Sequence, residues 1–142
     1  MTGFAEQRAY LAGRADLYAQ VSQSRDWQTK YRTLMLAGKE LPPLPAGLKQ
    51  DELRVEGCES AAWLVHLQEQ GCHYWGFDSD ARIIKGIVSA LLCKLNGKTA
   101  TELQALDLTA LFGQLGLNQG LSPSRNNGVA AVLARIGAQL HG

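Results

Sequence analysis

Apolar positions follow a helical period in the first third and second half of the chain, and a period of two between them. Helical spacing predicts helices over residues 4–21 and 26–38. Asp26 is placed to cap the second helix, and Gly38 to end it. The sequence LPPLP cannot continue a helix, because proline lacks the amide proton and clashes with the preceding turn. Residues 39–51 are therefore predicted to form an extended connector on the surface.

Period-two alternation in three short segments predicts a small antiparallel sheet with one buried face. The segments are residues 53–56, 62–69 and 72–77. In the second segment the residues that share a face are Trp63, Val65 and Leu67. Gln70-Gly71 has the composition of a tight turn between the last two segments.

Capping residues predict four helix starts in the second half. They are Ser79, the sequence TATE at 99–102, Asp107, and Ser122 followed by Pro123. The acidic sequence Asp78-Ser79-Asp80 is interpreted as part of a helix cap rather than as an acid–base or metal site. The helix from Asp107 is predicted to run through Leu115 and stop at Gly116. The elements together predict one α+β domain over residues 1–142, with a three-stranded antiparallel sheet packed with helices.

Composition and net charge limit the classes of protein to which the chain can belong. The chain has 142 residues, of which 46% are hydrophobic and 19% charged, as expected of an ordinary globular domain. A net charge of +1 predicts no broad attraction to nucleic acid or to a membrane surface. The N-terminal sequence lacks the apolar core of a signal peptide, and no apolar run is long enough to span a bilayer. We therefore expect a cytoplasmic location.

The cysteines and histidines form no recognisable pair in the sequence. Cys58, Cys72 and Cys93 are odd in number and widely spaced, which favours reduced thiols over a disulfide scaffold. The absence of CxxC and HxxxH sequences disfavours a metal site. Cys72 and Cys93 are expected to pack against neighbouring helices. His66 is predicted on the outer face of the sheet and His73 at its core side or edge, so neither is an obvious catalytic base.

Cys58 is the strongest candidate for a reactive residue. It follows Gly57, which permits unusual backbone angles, and it lies in a connection between two predicted strands. Glu59 and Ser60 follow it, and a nearby carboxylate raises the pKa of a thiol. The pattern alone leaves a packing atom and a reactive thiol both open. Arg125 opposes the helix dipole at the start of the last helix, which leaves a structural salt bridge and an anion contact open.

Four long blocks occur in an order typical of one known family. They are YRTLMLAGKELPPLP (31–45), VEGCESAAW (55–63), DSDARIIKGIVSALL (78–92) and LSPSRNNG (121–128). In these blocks the chain resembles the SufE/CsdE family of sulfur-acceptor proteins. The sequences GKELPPLP and LTALFGQLGL look closer to the CsdE branch.

The resemblance implies a fold related to iron–sulfur scaffold proteins, without their cysteine ligands. It also implies that Cys58 accepts sulfane sulfur as a persulfide from a cysteine desulfurase and so stimulates that enzyme. Pyridoxal phosphate is then expected on the desulfurase, with no cofactor or metal on this chain. Gly57, Glu59 and Ser60 would form the supporting loop, and Arg125 is expected to lie near it and contact an anion. The sulfur would pass on to iron–sulfur cluster assembly or another pathway.

Two other functions stay open from the sequence. One is an iron–sulfur or zinc scaffold assembled by the fold. The other is an adaptor that binds the desulfurase and stimulates it without taking sulfur.

Overall fold

Seven helices and a small sheet make up the part of the chain that the computed structural model describes, residues 4–57, 60–118 and 120–141. The helices are α1 (Ala5–Ala12), α2 (Leu17–Gln23), α3 (Trp27–Glu40), α4 (Arg82–Leu95), α5 (Ala100–Gln104), α6 (Leu108–Gly113) and α7 (Pro123–His141). The strands are β1 (Ala62–Glu69), β2 (Cys72–Ser79) and β3 (Lys98–Thr99). None of the helices in these residues is both long and apolar enough to cross a membrane.

The sheet is antiparallel with the order β1-β2-β3. Gln70 and Gly71 both have positive φ, 53° and 80°, as the two-residue turns of hairpins require. The predicted turn and the predicted three-stranded α+β architecture are confirmed. The third strand is different from the one expected, because β3 pairs with the start of β2.

The segment 53–56 does not form the predicted strand. Asp51–Leu53 is a 3₁₀ turn, and Arg54 makes only an isolated bridge to Trp63. Val55 donates its amide proton to the Ala62 carbonyl at 2.8 Å and buries its side chain in the core. The expected extended connector 39–51 is also partly wrong, because α3 continues to Glu40 and a 3₁₀ turn forms at Ala46–Leu48.

Both faces of the sheet are covered, whereas the alternation predicts only one buried face. Leu64 lies on the face that packs against the helices, together with Trp75 and Phe77. The opposite face carries a second cluster of Val65, Phe4 and Leu44, with Trp63 and Leu67 packed against it. The connector and the N-terminal segment supply this cover, and a period of two cannot reveal it because both alternating sets are apolar.

The single helix predicted over 4–21 is divided into α1 and α2. Leu11 and Leu17 are six residues apart, which places them about 120° apart around a continuous helix. The break between the helices allows both side chains to be buried, at 2% and 0% exposure.

Close contact between α3 and α4 depends on two glycines. A Cβ atom at Gly86 would overlap the backbone carbonyl of Leu34, and one at Gly38 would overlap that of Arg82. Gly38 therefore does not end α3 as predicted; it allows the two helix backbones to approach each other. This contact brings α4 against the N-terminal helices.

Most of the capping predictions for the second half are confirmed. Thr99 and Glu102 form the capping box at α5, and Asp107 accepts a hydrogen bond from the Ala110 amide at α6. The Ser122 hydroxyl accepts a bond from the Arg125 amide in the first turn of α7.

Two predicted helix boundaries in this half are wrong. Ser79 ends β2, and its hydroxyl accepts a bond from the Ala81 amide before α4 begins at Arg82. The reason is that β2 extends two residues further than its apolar alternation suggests. In addition, α6 ends at Gly113 rather than at Leu115.

Asp78 is a buried carboxylate that joins three parts of the fold. It is 3% exposed and accepts hydrogen bonds from the Leu44 amide at 3.0 Å and the Ser79 amide at 2.9 Å. It also forms salt bridges with Lys49 at 3.1 Å and Lys85 at 3.5 Å. Burial alone raises the pKa of this carboxyl group, but these contacts together outweigh burial and lower the pKa below its usual value. The helix-cap interpretation of Asp78 is therefore wrong: its side chain anchors the connector to β2 and α4.

We predict that Gly86→Ala lowers the free energy of unfolding by about 2–3 kcal/mol, because the added methyl group forces α3 and α4 apart. Gly137→Ala in α7 is the matched control, since a Cβ there meets nothing within 4 Å. The control should raise the free energy of unfolding by about 0.5–1 kcal/mol. Urea denaturation of both variants measures this, and equal effects would contradict the proposed close contact.

We predict that Asp78→Asn lowers the free energy of unfolding at neutral pH by about 2 kcal/mol, because two lysines lose their counter-charge. Because the folded pKa of Asp78 is lowered, the unfolded chain takes up this proton first on acidification. The stabilisation is therefore complete above about pH 5 and is lost progressively as the pH falls further. Denaturation at a series of pH values checks this, and an unchanged acid slope in the variant would argue against it.

Candidate functional site

The chain on either side of Cys58 is attached to the beginning of β1. Cys58 and Glu59 themselves lie outside the described residues. Before them, the Val55 amide donates to the Ala62 carbonyl at 2.8 Å, and after them the Ala61 carbonyl accepts from the Asp80 amide at 3.1 Å. Residues 56–61 are thus bounded by two backbone hydrogen bonds at one corner of the sheet.

Gly57 is the last described residue before Cys58, and it has a conformation that favours glycine. Its φ is 90°, and a Cβ atom there would lie 3.4 Å from the Cβ of Ala131 on α7. Residues 51–57, which we call the entry arm, therefore run from the 3₁₀ turn past β1 to the surface of α7. Ser60, which follows Cys58 and Glu59, is partly buried. The roles of Gly57, Glu59 and Ser60 in the chemistry of Cys58 stay predictions.

Arg125 is exposed in the first turn of α7, and it makes no salt bridge with any residue of the described ranges. It is six residues from Ala131, which corresponds to about 9 Å along the helix and about 120° around it. Arg125 thus starts from a different side of α7 than the one that contacts Gly57. Whether its side chain reaches the Cys58 segment stays a prediction.

Arg135 contacts the entry arm directly, although no pattern in the sequence singles it out. Its guanidinium donates two hydrogen bonds, to the Glu52 carbonyl at 2.7 Å and to the Arg54 carbonyl at 3.0 Å. Arg135 lies one helical turn after Ala131, on the same side of α7. No sequence motif indicates this contact, because it depends on where the fold brings the arm.

Of the two other cysteines, Cys93 is inert, and Cys72 lies far from the corner of the sheet that bounds the Cys58 segment. Cys93 is partly buried, and its thiol donates to the Leu11 carbonyl at 3.6 Å. Burial raises the pKa of this thiol to about 11, so it stays protonated at neutral pH. Its predicted packing role is confirmed.

Cys72 is a free, partly buried thiol opposite Glu69 at the turn end of the β1–β2 hairpin. The eight residues of β1 separate that end from Ala62 by about 23 Å. Cys72 is therefore too far from the corner that bounds Cys58 to act as a neighbouring thiol or shared metal ligand. Across the described ranges, no group of three or more His, Cys, Asp or Glu side chains could hold a metal ion.

His66 and His73 form a stacked pair on the helix-facing side of the sheet. His66 Nε2 and His73 Nδ1 are 2.8 Å apart, and both rings stack with Trp75. Burial, and then the neighbouring His73, lowers the pKa of His66. The prediction that His66 lies on the outer face is wrong, because its strand position matches that of Leu64. His73 is buried, as predicted, and the pair is a packing feature of the core.

Comparison with known proteins places the chain in a family. The sequence model of the SufE family, described as an Fe-S metabolism associated domain, matches residues 15–140. The sulfur acceptor protein CsdE of Escherichia coli K12 is 45% identical over 112 residues, which cover 78% of this chain and 76% of CsdE. A SufE-like protein of Haemophilus influenzae is 39% identical over 124 residues, covering 85% of this chain and 94% of the relative.

A solved structure supports the same fold. The solution structure of a hypothetical protein from Thermus thermophilus superposes with a TM-score of 0.70 at 21% identity. The match covers 89% of this chain and 94% of that one. Because the identity is low, this likeness concerns the fold alone. The family match and the identity to CsdE confirm the resemblance seen in the sequence, and the chain belongs to the SufE family.

Proposed function

We propose that this protein accepts sulfane sulfur on Cys58 as a persulfide from a cysteine desulfurase, and that this acceptance stimulates the desulfurase. The observation that carries the proposal is the SufE family match, which spans Gly57-Cys58 within residues 15–140. The name of the Escherichia coli relative, sulfur acceptor protein, supports the same role. We further propose a cytoplasmic location and, from the Fe-S metabolism description of the family, delivery of sulfur towards iron–sulfur cluster assembly or another sulfur pathway.

The proposed transfer is an exchange between thiols and needs no oxidant. The Cys58 thiolate attacks the outer sulfur of a persulfide on the desulfurase cysteine. A new S–S bond forms at Cys58 while the S–S bond on the desulfurase breaks, and the desulfurase thiolate leaves with the electron pair. The desulfurase is then free for another turnover. Pyridoxal phosphate would belong to the desulfurase, and this chain would supply only the accepting thiol.

The reaction requires a thiolate at Cys58, and the adjacent Glu59 opposes one, because a nearby carboxylate raises a thiol pKa. A cation must therefore offset Glu59, supplied by the fold or by the desulfurase. We propose Arg125 for this role, since its exposed guanidinium can pair with Glu59 or with the thiolate or persulfide anion. This pairing requires the Arg125 side chain to reach the Cys58 segment from a different side of α7 than Ala131.

Cys58→Ser separates an acceptor from an adaptor. We expect this variant to lose essentially all stimulation of the desulfurase, because a hydroxyl cannot accept sulfane sulfur. Cys72→Ser is the matched control and should stimulate like the wild type, since Cys72 lies at the far end of the hairpin. The measurement is desulfurase turnover as a function of added protein. Retained stimulation by Cys58→Ser would favour the adaptor and contradict the proposal.

Arg125→Ala should slow sulfur transfer about tenfold and shift its pH dependence towards higher pH. The reason is that the thiolate loses a favourable charge interaction, and a tenfold effect corresponds to about 1.4 kcal/mol. Arg125→Lys should keep most of the rate, since it keeps the charge. Single-turnover transfer measured between pH 6 and 9 checks both, and an unchanged rate and pH profile in Arg125→Ala would exclude the role.

A further inference from the structure

We propose that Arg135 is a positioning residue for sulfur transfer, which clamps the entry arm to α7 so that the chain reaches Cys58 from a fixed point. The proposal rests on the proposed function of Cys58, which the arm directly precedes. It assigns a role to a side chain in the middle of the last helix, outside every block that carries the resemblance to the family.

The contact has the geometry of a clamp. One guanidinium nitrogen donates to the Glu52 carbonyl at 2.7 Å and the other to the Arg54 carbonyl at 3.0 Å. A planar guanidinium holds two acceptors in a fixed relation, whereas a lysine ammonium on a flexible stem does not. Both acceptors are backbone atoms, so the clamp acts on the path of the chain and is insensitive to the side chains at 52 and 54.

Two further contacts hold the arm beyond the clamp. The Val55 side chain is 3% exposed in the core, and its amide is bonded to the Ala62 carbonyl. Gly57 then lies beside Ala131, one helical turn before Arg135 on α7, so close that an added Cβ atom would be 3.4 Å from the Ala131 Cβ. The arm is thus fixed against β1 on one side and α7 on the other as far as Gly57, which has the positive φ of 90°.

This arrangement predicts which kinetic quantity depends on Arg135. An arm that is already ordered loses less conformational entropy when the desulfurase binds the Cys58 segment. Because the clamp acts on the arm and not on the reacting sulfur atoms, the transfer step itself should be unaffected. Loss of the clamp should therefore raise the protein concentration needed for half-maximal stimulation and leave maximal stimulation unchanged.

The test compares Arg135→Gln and Arg135→Lys with Arg25→Gln, which removes an exposed guanidinium from the connection between α2 and α3. Amide hydrogen exchange, followed by NMR, is measured at Val55 and at Trp75. Trp75 lies in β2, and its amide donates a hydrogen bond to the Asn96 side chain. Desulfurase stimulation is measured over a range of concentrations for each protein.

In Arg135→Gln we expect exchange at Val55 to become about fivefold faster and the half-saturating concentration to rise by a similar factor, since one or two modest hydrogen bonds are lost. Exchange at Trp75 should not change. Arg135→Lys should recover part of both effects, and Arg25→Gln should match the wild type.

A merely structural role for Arg135 would overturn the proposal, and it would appear as equal acceleration at Val55 and Trp75 with no change in half-saturating concentration. A fall in maximal stimulation alone would also overturn it. Exchange is measured without the desulfurase, so the clamp is tested separately from the proposed function. If the wild type takes no sulfur on Cys58, the proposed function fails; if only the Arg135 effects are absent, the clamp fails and the function stands.

Discussion

The buried carboxylate of Asp78 is the interaction on which the rest of the arrangement depends. It holds the connector to the end of β2 through the Leu44 amide and Lys49, and it ties that strand to α4 through Lys85. A charged group at this depth is stable only because amide protons and two cations compensate its lost hydration. The connector in turn covers the second face of the sheet and leads into the entry arm.

The backbone is anchored to the fold on both sides of Cys58, and this anchoring is the structural feature most relevant to function. The entry arm is fixed by core packing at Val55, by a backbone bond to β1 and by Arg135 on α7. The return to β1 is fixed by the bond between Ala61 and Asp80. A sulfur carrier has to present its cysteine to one partner and later to another, and these anchors fix where the chain enters and leaves the Cys58 segment.

Elements whose causes are local could be predicted from the sequence. The hairpin turn and the caps at Thr99, Asp107 and Ser122 depend on a few adjacent residues, and all are found in the structure. The errors have tertiary causes: the third strand, the covered second face and the divided N-terminal helix all depend on what packs against them. The same holds for the site, where the resemblance singled out Cys58 but nothing local indicated Arg135.

The central claim is that Cys58 itself carries the sulfur, and mass spectrometry of the protein after incubation with a cysteine desulfurase and cysteine tests it most directly. We predict an increment of about 32 Da, one sulfur atom, on the peptide that contains Cys58 and its removal by a reducing thiol. Cys72 and Cys93 in the same sample serve as internal references. An unmodified Cys58 under conditions in which the desulfurase is stimulated, or sulfur found only on Cys72 or Cys93, would contradict the claim.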